Sequence, residues 1–195
     1  MRRKLPNTGR LCNFAAGVVI AGAVICAGRA SAEVADATPE GFSVSETAHI
    51  AAPSDKVWAV LIAPQHWWGA NHTFSRNAAN LTFDAKAGGC WCETMPNGGA
   101  VQHMTVVFVL PGKLLRMRGA MGPMQEMAVT TVMTWSLKPS VDGTDITLVS
   151  ANGGYVKGGL LNLAPVVDRV FGEQVNRLKT YVETGSVGSL QETKP

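Results

Sequence analysis

The chain has 195 residues, with 17 lysines and arginines against 14 aspartates and glutamates, a formal charge of +3. Five of the basic residues (Arg2, Arg3, Lys4, Arg10 and Arg29) precede the first acidic one, Glu33, and from Glu33 onward the balance is 12 basic to 14 acidic, a net of −2. Nucleic-acid binding draws on positive charge carried by the folded domain, so no nucleic-acid partner is expected. A content of 46% apolar and 16% charged residues excludes a largely disordered chain.

Residues 1–32 read as an export signal. Arg2, Arg3 and Lys4 form a basic start, Phe14 to Gly28 is an uncharged and mostly apolar run, and Ala30-Ser31-Ala32 is a small-x-small cleavage site. An uncleaved anchor is the alternative, although a spanning helix wants about 20 apolar residues. The mature chain would begin at Glu33, be periplasmic or secreted in a bacterium, and have no stable membrane insertion. Cys12 and Cys26 leave with the signal. Cys90 and Cys92 remain, separated only by Trp91. A bridge across one residue would be strained, so two reduced, packed thiols are expected.

Residues 33–41 read as a short polar linker. Phe42 to Ile50 then alternates: Phe42, Val44, Glu46, Ala48 and Ile50 against Ser43, Ser45, Thr47 and His49. This is a half-buried strand. Pro53-Ser54-Asp55 predicts a helix start with Ser54 or Asp55 as cap. Val57, Trp58, Val60 and Leu61 are that helix's apolar stripe, and Pro64 ends it. Gln65 to Gly69 predicts a second short helical turn.

Six strands follow, at Leu81–Phe83, Gly89–Thr94, Val101–Leu110, Lys113–Gly119, Met127–Leu137 and Asp145–Ala151. The turns between them include Asn97-Gly98 and Asp142-Gly143, both strong hairpin signals. Short consecutive connections imply an antiparallel meander. Leu160, Leu163, Ala164, Val167, Phe171, Val175, Leu178 and Val182 then recur at helical spacing. They predict a turn over 160–164 and a long helix from Pro165 to Gly185. The tail 186–195 is polar. The apolar face of the sheet and the apolar stripe of the last helix must bury each other.

This order of elements resembles the START-like superfamily, also called SRPBCC, which includes polyketide cyclases and lipid carriers. The resemblance rests on Ala52-Pro53 with Val57-Trp58, then Trp67-Trp68, Gly88-Gly89, Asn97-Gly98-Gly99, Gly143-Thr144 and the last helix. It implies an α+β helix-grip fold over residues 42–185. A curved antiparallel sheet of about six or seven strands would surround the C-terminal helix, with two short helices after the first strand. It also implies an apolar cavity between sheet and helix. Family members range from carriers to cyclases, so the resemblance does not fix the activity. The chaperone-activating branch of the superfamily has a cytosolic partner and does not suit an exported chain.

Within that frame a small apolar or amphipathic molecule is the expected partner. Trp67, Trp68, Trp91, Met104, Met117, Met124, Met127 and Phe171 are the candidate ligand-binding residues. Six of the eight methionines lie between positions 104 and 133, and methionine suits adaptable apolar surfaces. The stretch Met121 to Met127 reads either as a mobile lid or as core filling. Trp67 and Trp68 read either as lining a ligand entrance or as core.

Glu93 and His103 are the candidate catalytic residues. Glu93 shares a strand face with Trp91, and a buried carboxylate is costly unless paired. His103 on the next strand is its candidate partner as a general base. A one-residue slip in the hairpin register would separate them, and the alternative is an exposed Glu93 or a structural ion pair. Cyclase, isomerase or hydrolase chemistry at this pair is the competing function. No metal or cofactor is expected, because ligand spacing, phosphate loop and nucleotide fingerprint are all lacking.

Overall fold

The computed structural model of the chain describes residues 31–188. The expected signal up to position 30, and the tail beyond 188, lie outside the described residues. The elements in chain order are β1 (Ser31–Ala37), β2 (Gly41–Ile50), α1 (Ser54–Leu61), β3 (Leu81–Phe83), β4 (Cys90–Thr94), β5 (Ala100–Leu110), β6 (Leu114–Gly119), β7 (Ala128–Pro139), β8 (Thr144–Tyr155) and α2 (Ala164–Thr184). Short 3-10 turns connect several of them.

The strands form one antiparallel sheet in the order β1-β2-β8-β7-β6-β5-β4-β3. The fold is therefore α+β, with eight strands rather than six or seven. The extra strand is β1, which occupies much of the expected linker 33–41. Its residues are small and polar, so no alternation marks it in the sequence. A register shift between Val34 and Asp36 lets Val34 and Ala37, three positions apart, both pack against the core.

Alternation dictates which strand faces turn inward. Val129, Thr131, Met133, Trp135 and Leu137 on β7 and Ile146 and Leu148 on β8 are buried, and the more exposed Thr130, Val132, Thr134, Ser136 and Thr147 alternate with them. α2 closes this face with Ala164, Phe171, Val175, Leu178 and Val182, all buried. Each large apolar side chain so placed contributes roughly 2 kcal/mol. Pro165 lies in the first turn of α2, where its missing N–H costs nothing. Gly185 ends the helix at φ 79°, donating its N–H to the Tyr181 carbonyl at 2.8 Å.

The start of α1 differs from expectation. Pro53 is the capping residue and no side chain caps the helix. Ser54 and Asp55 already lie in its first turn, one and two positions too late to cap it.

β5 carries the irregularity that matters for function. Trp91 faces Met104 and Cys92 faces Gln102, so His103 is an extra residue with no partner on β4. On the other side, Gly119 at the end of β6 faces Met104. A Cβ at Gly119 would stand 2.3 Å from the His103 carbonyl oxygen. That carbonyl accepts the Ala120 N–H at 3.2 Å. Gly119→Ala is expected to lower the unfolding free energy by about 2 kcal/mol. Urea denaturation measures this, and an unchanged midpoint would show that the bulge tolerates displacement.

Candidate functional site

Glu93 and His103 meet. Cross-strand pairing sets Glu93 opposite Val101, on the same inward face as Trp91. The bulge then turns His103 inward beside Met104, so that two consecutive residues of β5 are buried. His103 Nε2 lies 2.9 Å from Glu93 Oε2, with both side chains sealed from solvent. The loop before β3 completes the carboxylate's shell. The Phe74 N–H donates to Oε2 at 3.1 Å and the Ser75 N–H donates to Oε1.

The protonation states follow from these contacts. Burial alone would raise the Glu93 pKa, but the hydrogen bonds from Ser75, Phe74 and His103 outweigh it and leave the pKa lowered. Burial lowers the His103 pKa, and the Glu93 charge offsets this only in part. The pair at neutral pH is thus a carboxylate and a neutral imidazole. Its proton sits on Nε2, because Glu93 can only accept. This leaves Nδ1 with its lone pair, buried and without a partner. His103 is expected to remain neutral at pH 6.5, where an ordinary histidine is half protonated. Imidazole nitrogen shifts measured by NMR check this, and a half-charged ring at that pH would contradict it.

An aromatic ladder leads from the core to this pair. Trp135 and Trp67 have ring centroids 6.0 Å apart, Trp67 and Trp68 5.5 Å, Trp68 and Trp91 4.8 Å, and Trp91 and His103 6.4 Å. Every step is edge-to-face, the arrangement that ring quadrupoles favour. Phe74 also stacks on His103, at 5.9 Å between centroids, and is 42% exposed. The Trp91 indole N–H is buried and, like His103 Nδ1, has no partner.

Trp67 and Trp68 are both core residues, not the rim of an entrance. Their loop is fixed to α2, because the Trp67 carbonyl accepts from Arg177 Nε at 2.9 Å and the Gly69 N–H donates to Gln174 Oε1 at 2.8 Å. Met104, Met117, Met124 and Phe171 are buried in the same core, and Met127 is partly buried against it. Met121 and Met124 point inward from a 3-10 turn at Gly122–Glu126. Gln125 fastens this turn, donating to the carbonyls of Gln102 at 3.1 Å and Ala120 at 3.0 Å.

The two cysteines form a disulfide, against the expectation of free thiols. A straight strand would hold them apart. β4 is gathered at the register shift, which brings the two Cα atoms to 5.4 Å, within normal bridging range.

One acidic pair, a buried and a half-buried carboxylate, was not singled out from the sequence. Glu46 on β2 is fully buried and faces Asp168 on α2. Burial, then the Asp168 charge, then a hydrogen bond with Asp168 raise the Glu46 pKa to about 8. No main-chain or basic group reaches its carboxyl oxygens. A signal was present, since Glu46 occupies an inward position of an alternating strand.

Buried side chains of the sheet and of α2 form one continuous core cluster. Two open surface hollows, of about 430 and 290 Å³, lie elsewhere: one between residues 51–55 and 139–143, the other beside His103, Arg118 and Gln125. Among the described residues no group of three or more His, Cys, Asp or Glu side chains could hold a metal. No described helix is long and apolar enough to cross a membrane.

The family described as polyketide cyclase/dehydrase and lipid transport matches residues 41–183. The chain belongs to this family. It has the START-like, or SRPBCC, fold, and the match takes in strands β2 to β8 and nearly all of α2, while β1 precedes it. A comparison with curated proteins finds no match. Solved structures share the fold at low identity. A protein from Arthrobacter aurescens is 17% identical with a TM-score of 0.55, the match covering 82% of this chain and 97% of that one. A conserved protein of unknown function from Enterococcus faecalis is 14% identical with a TM-score of 0.54, covering 80% and 78%. The di-domain aromatase/cyclase StfQ of the steffimycin biosynthetic pathway is 13% identical with a TM-score of 0.52, covering 74% and 51%. At these identities the likeness concerns the fold alone.

Proposed function

We propose that this protein is an exported member of its family that binds a small amphipathic molecule between the sheet and α2. The observation that carries this reading is the pair of unused polar atoms in the tryptophan- and methionine-rich interior. The Trp91 N–H is an unused donor and His103 Nδ1 an unused acceptor, on adjacent buried rings. Native interiors rarely leave such atoms unpaired. A ligand hydroxyl satisfies both, accepting from the indole and donating to the imidazole. The rest of the ligand would replace side chains now filling the grip, and the methionines of the Gly122–Glu126 turn are those best suited to yield.

Native mass spectrometry of the chain, with extraction of bound small molecules, tests this reading. It is joined by titration with a fluorescent naphthylamine probe. The expected results are a co-purifying apolar alcohol or phenol and saturable probe uptake that falls in Gln125→Ala or Met124→Lys. An interior that retains no small molecule and takes up no probe overturns the reading.

A second reading, proton transfer, is favoured by the ionic state of the pair. A neutral imidazole held by a carboxylate through Nε2, with Nδ1 free, is the form of a general base. It would suit enolisation in a cyclase or isomerase. Incubation of the extracted molecule with the protein in heavy water should exchange one carbon-bound hydrogen, and His103→Gln should abolish the exchange. Equal exchange in wild type and variant rules out this role.

A further inference from the structure

Cys90 and Cys92 point away from the core while Trp91 and Glu93 point into it. Two residues of extended strand advance about 6.6 Å, so Cα atoms only 5.4 Å apart mean that β4 is gathered by roughly 1 Å where the bridge spans it. The opposing strand runs long at the same place. Cys90 faces Thr105 and Cys92 faces Gln102, so two steps along β4 answer three along β5. The residue left over is His103. Its side chain has departed from regular alternation and is seated on Glu93.

Global stabilisation does not account for such a bridge. The gain from closing a loop grows with the number of residues enclosed, and this ring encloses only Trp91. What the ring does control is local shape. It restricts β4 directly opposite the bulge and encircles the tryptophan whose ring packs edge-on against His103 at 6.4 Å.

We propose that the Cys90–Cys92 disulfide is a positioning element for His103, holding β4 in the gathered form the bulge requires, so that its reduction frees the imidazole from Glu93. The inference rests on the geometry of the Glu93–His103 pair. It rests on the proton-transfer reading only for the activity that a freed histidine would lose. Opening the bridge breaks the S–S bond and forms two S–H bonds, taking up two electrons and two protons. A water-soluble phosphine supplies the electrons and becomes its oxide, with water providing the oxygen and the protons.

The test follows the four imidazoles by NMR in the full chain, with Cys12 and Cys26 replaced by serine so that only this bridge responds. In the oxidised protein His103 should be neutral, with its proton fixed on Nε2. After phosphine treatment, with two thiols counted, His103 should average between tautomers, and its titration should move down, because the carboxylate that raises it has let go while burial remains. His49, His66 and His72 should keep their positions, and the far-ultraviolet dichroism should not change. The Cys90→Ser/Cys92→Ser protein should reproduce the reduced spectrum. If that variant fails to fold, phosphine treatment of the folded chain still decides. An unchanged His103 tautomer and titration after full reduction overturns the proposal. Collapse of all four histidine signals on reduction also overturns it, because the bridge would then support the whole fold rather than one side chain.

Discussion

Glu93→Ala is expected to lower the unfolding free energy by about 3–5 kcal/mol, since each buried donor left without its acceptor costs about 1–3 kcal/mol and three lose theirs. The carboxylate, itself fully buried, accepts from the part-buried Phe74 and Ser75 main chain and from the buried His103 Nε2. Alanine leaves three donors facing a void. Glu93→Gln is expected to cost less, about 1–3 kcal/mol. Its amide oxygen keeps part of the acceptor role, but its NH2 meets at least one donor head-on. Urea unfolding at pH 7.5 gives both values.

Amide exchange supplies a local readout for the same pair of variants. The Phe74 and Ser75 amides should lose protection before the strands do, because Glu93 is what ties their loop to β4. His103→Gln combined with Glu93→Gln should cost less than the two single changes summed, since the two residues share one interaction. Additive costs with unaltered exchange would mean that the carboxylate is not what holds this corner.

The sequence makes the outline of the fold legible wherever one period is sustained. The alternation along β2 and the three- and four-residue spacing along α2 each reflect one buried face, and the structure places both as expected. Strand β1 escapes because it borrows its register from β2 and offers only Val34 and Ala37 to the core. The meeting of Glu93 with His103 could be posed as a possibility but not decided. Its cause is a bulge, a property of two strands paired together. Neither strand alone records which of its neighbours will lack a partner. The disulfide was missed for the same reason, since ideal strand geometry argues against it and the bulge removes that geometry. Glu46 and Asp168 each break an otherwise apolar stripe. Sequence marks both as exceptions without showing that they face each other.

That second acidic pair sets an unusual pH dependence. An ordinary buried carboxylate with good partners has a lowered pKa and stabilises the fold above it. Glu46 is the reverse, because its pKa moves from 4.5 to about 8 on folding. The folded state therefore binds this proton more tightly than the unfolded chain does. Below pH 4.5 both states are protonated and there is no penalty. As the pH rises from 4.5 toward 8 the unfolded chain ionises while folded Glu46 resists, and stability drains away. At about 1.4 kcal/mol for each pH unit separating the two values, the loss reaches a few kcal/mol. Above 8 it is constant. Asp168, also raised by burial and offset by its hydrogen bond to Glu46, titrates with it as a coupled pair.

Glu46→Gln should remove this penalty and keep the contact, because the amide N–H replaces the carboxyl O–H as donor to Asp168. The expected gain is about 2–4 kcal/mol at pH 9 and close to none at pH 5. Gly172 stands one turn beyond Asp168, where a Cβ would come within 3.3 Å of Glu46 Oε2. Glutamine is isosteric with glutamate, so it makes no new demand on that space. Urea midpoints of wild type and variant at pH 5, 7 and 9 give the comparison. A variant no more stable than wild type at pH 9 would show that Glu46 is ionised and compensated in the folded state, and that β2 and α2 meet across a charge rather than a shared proton.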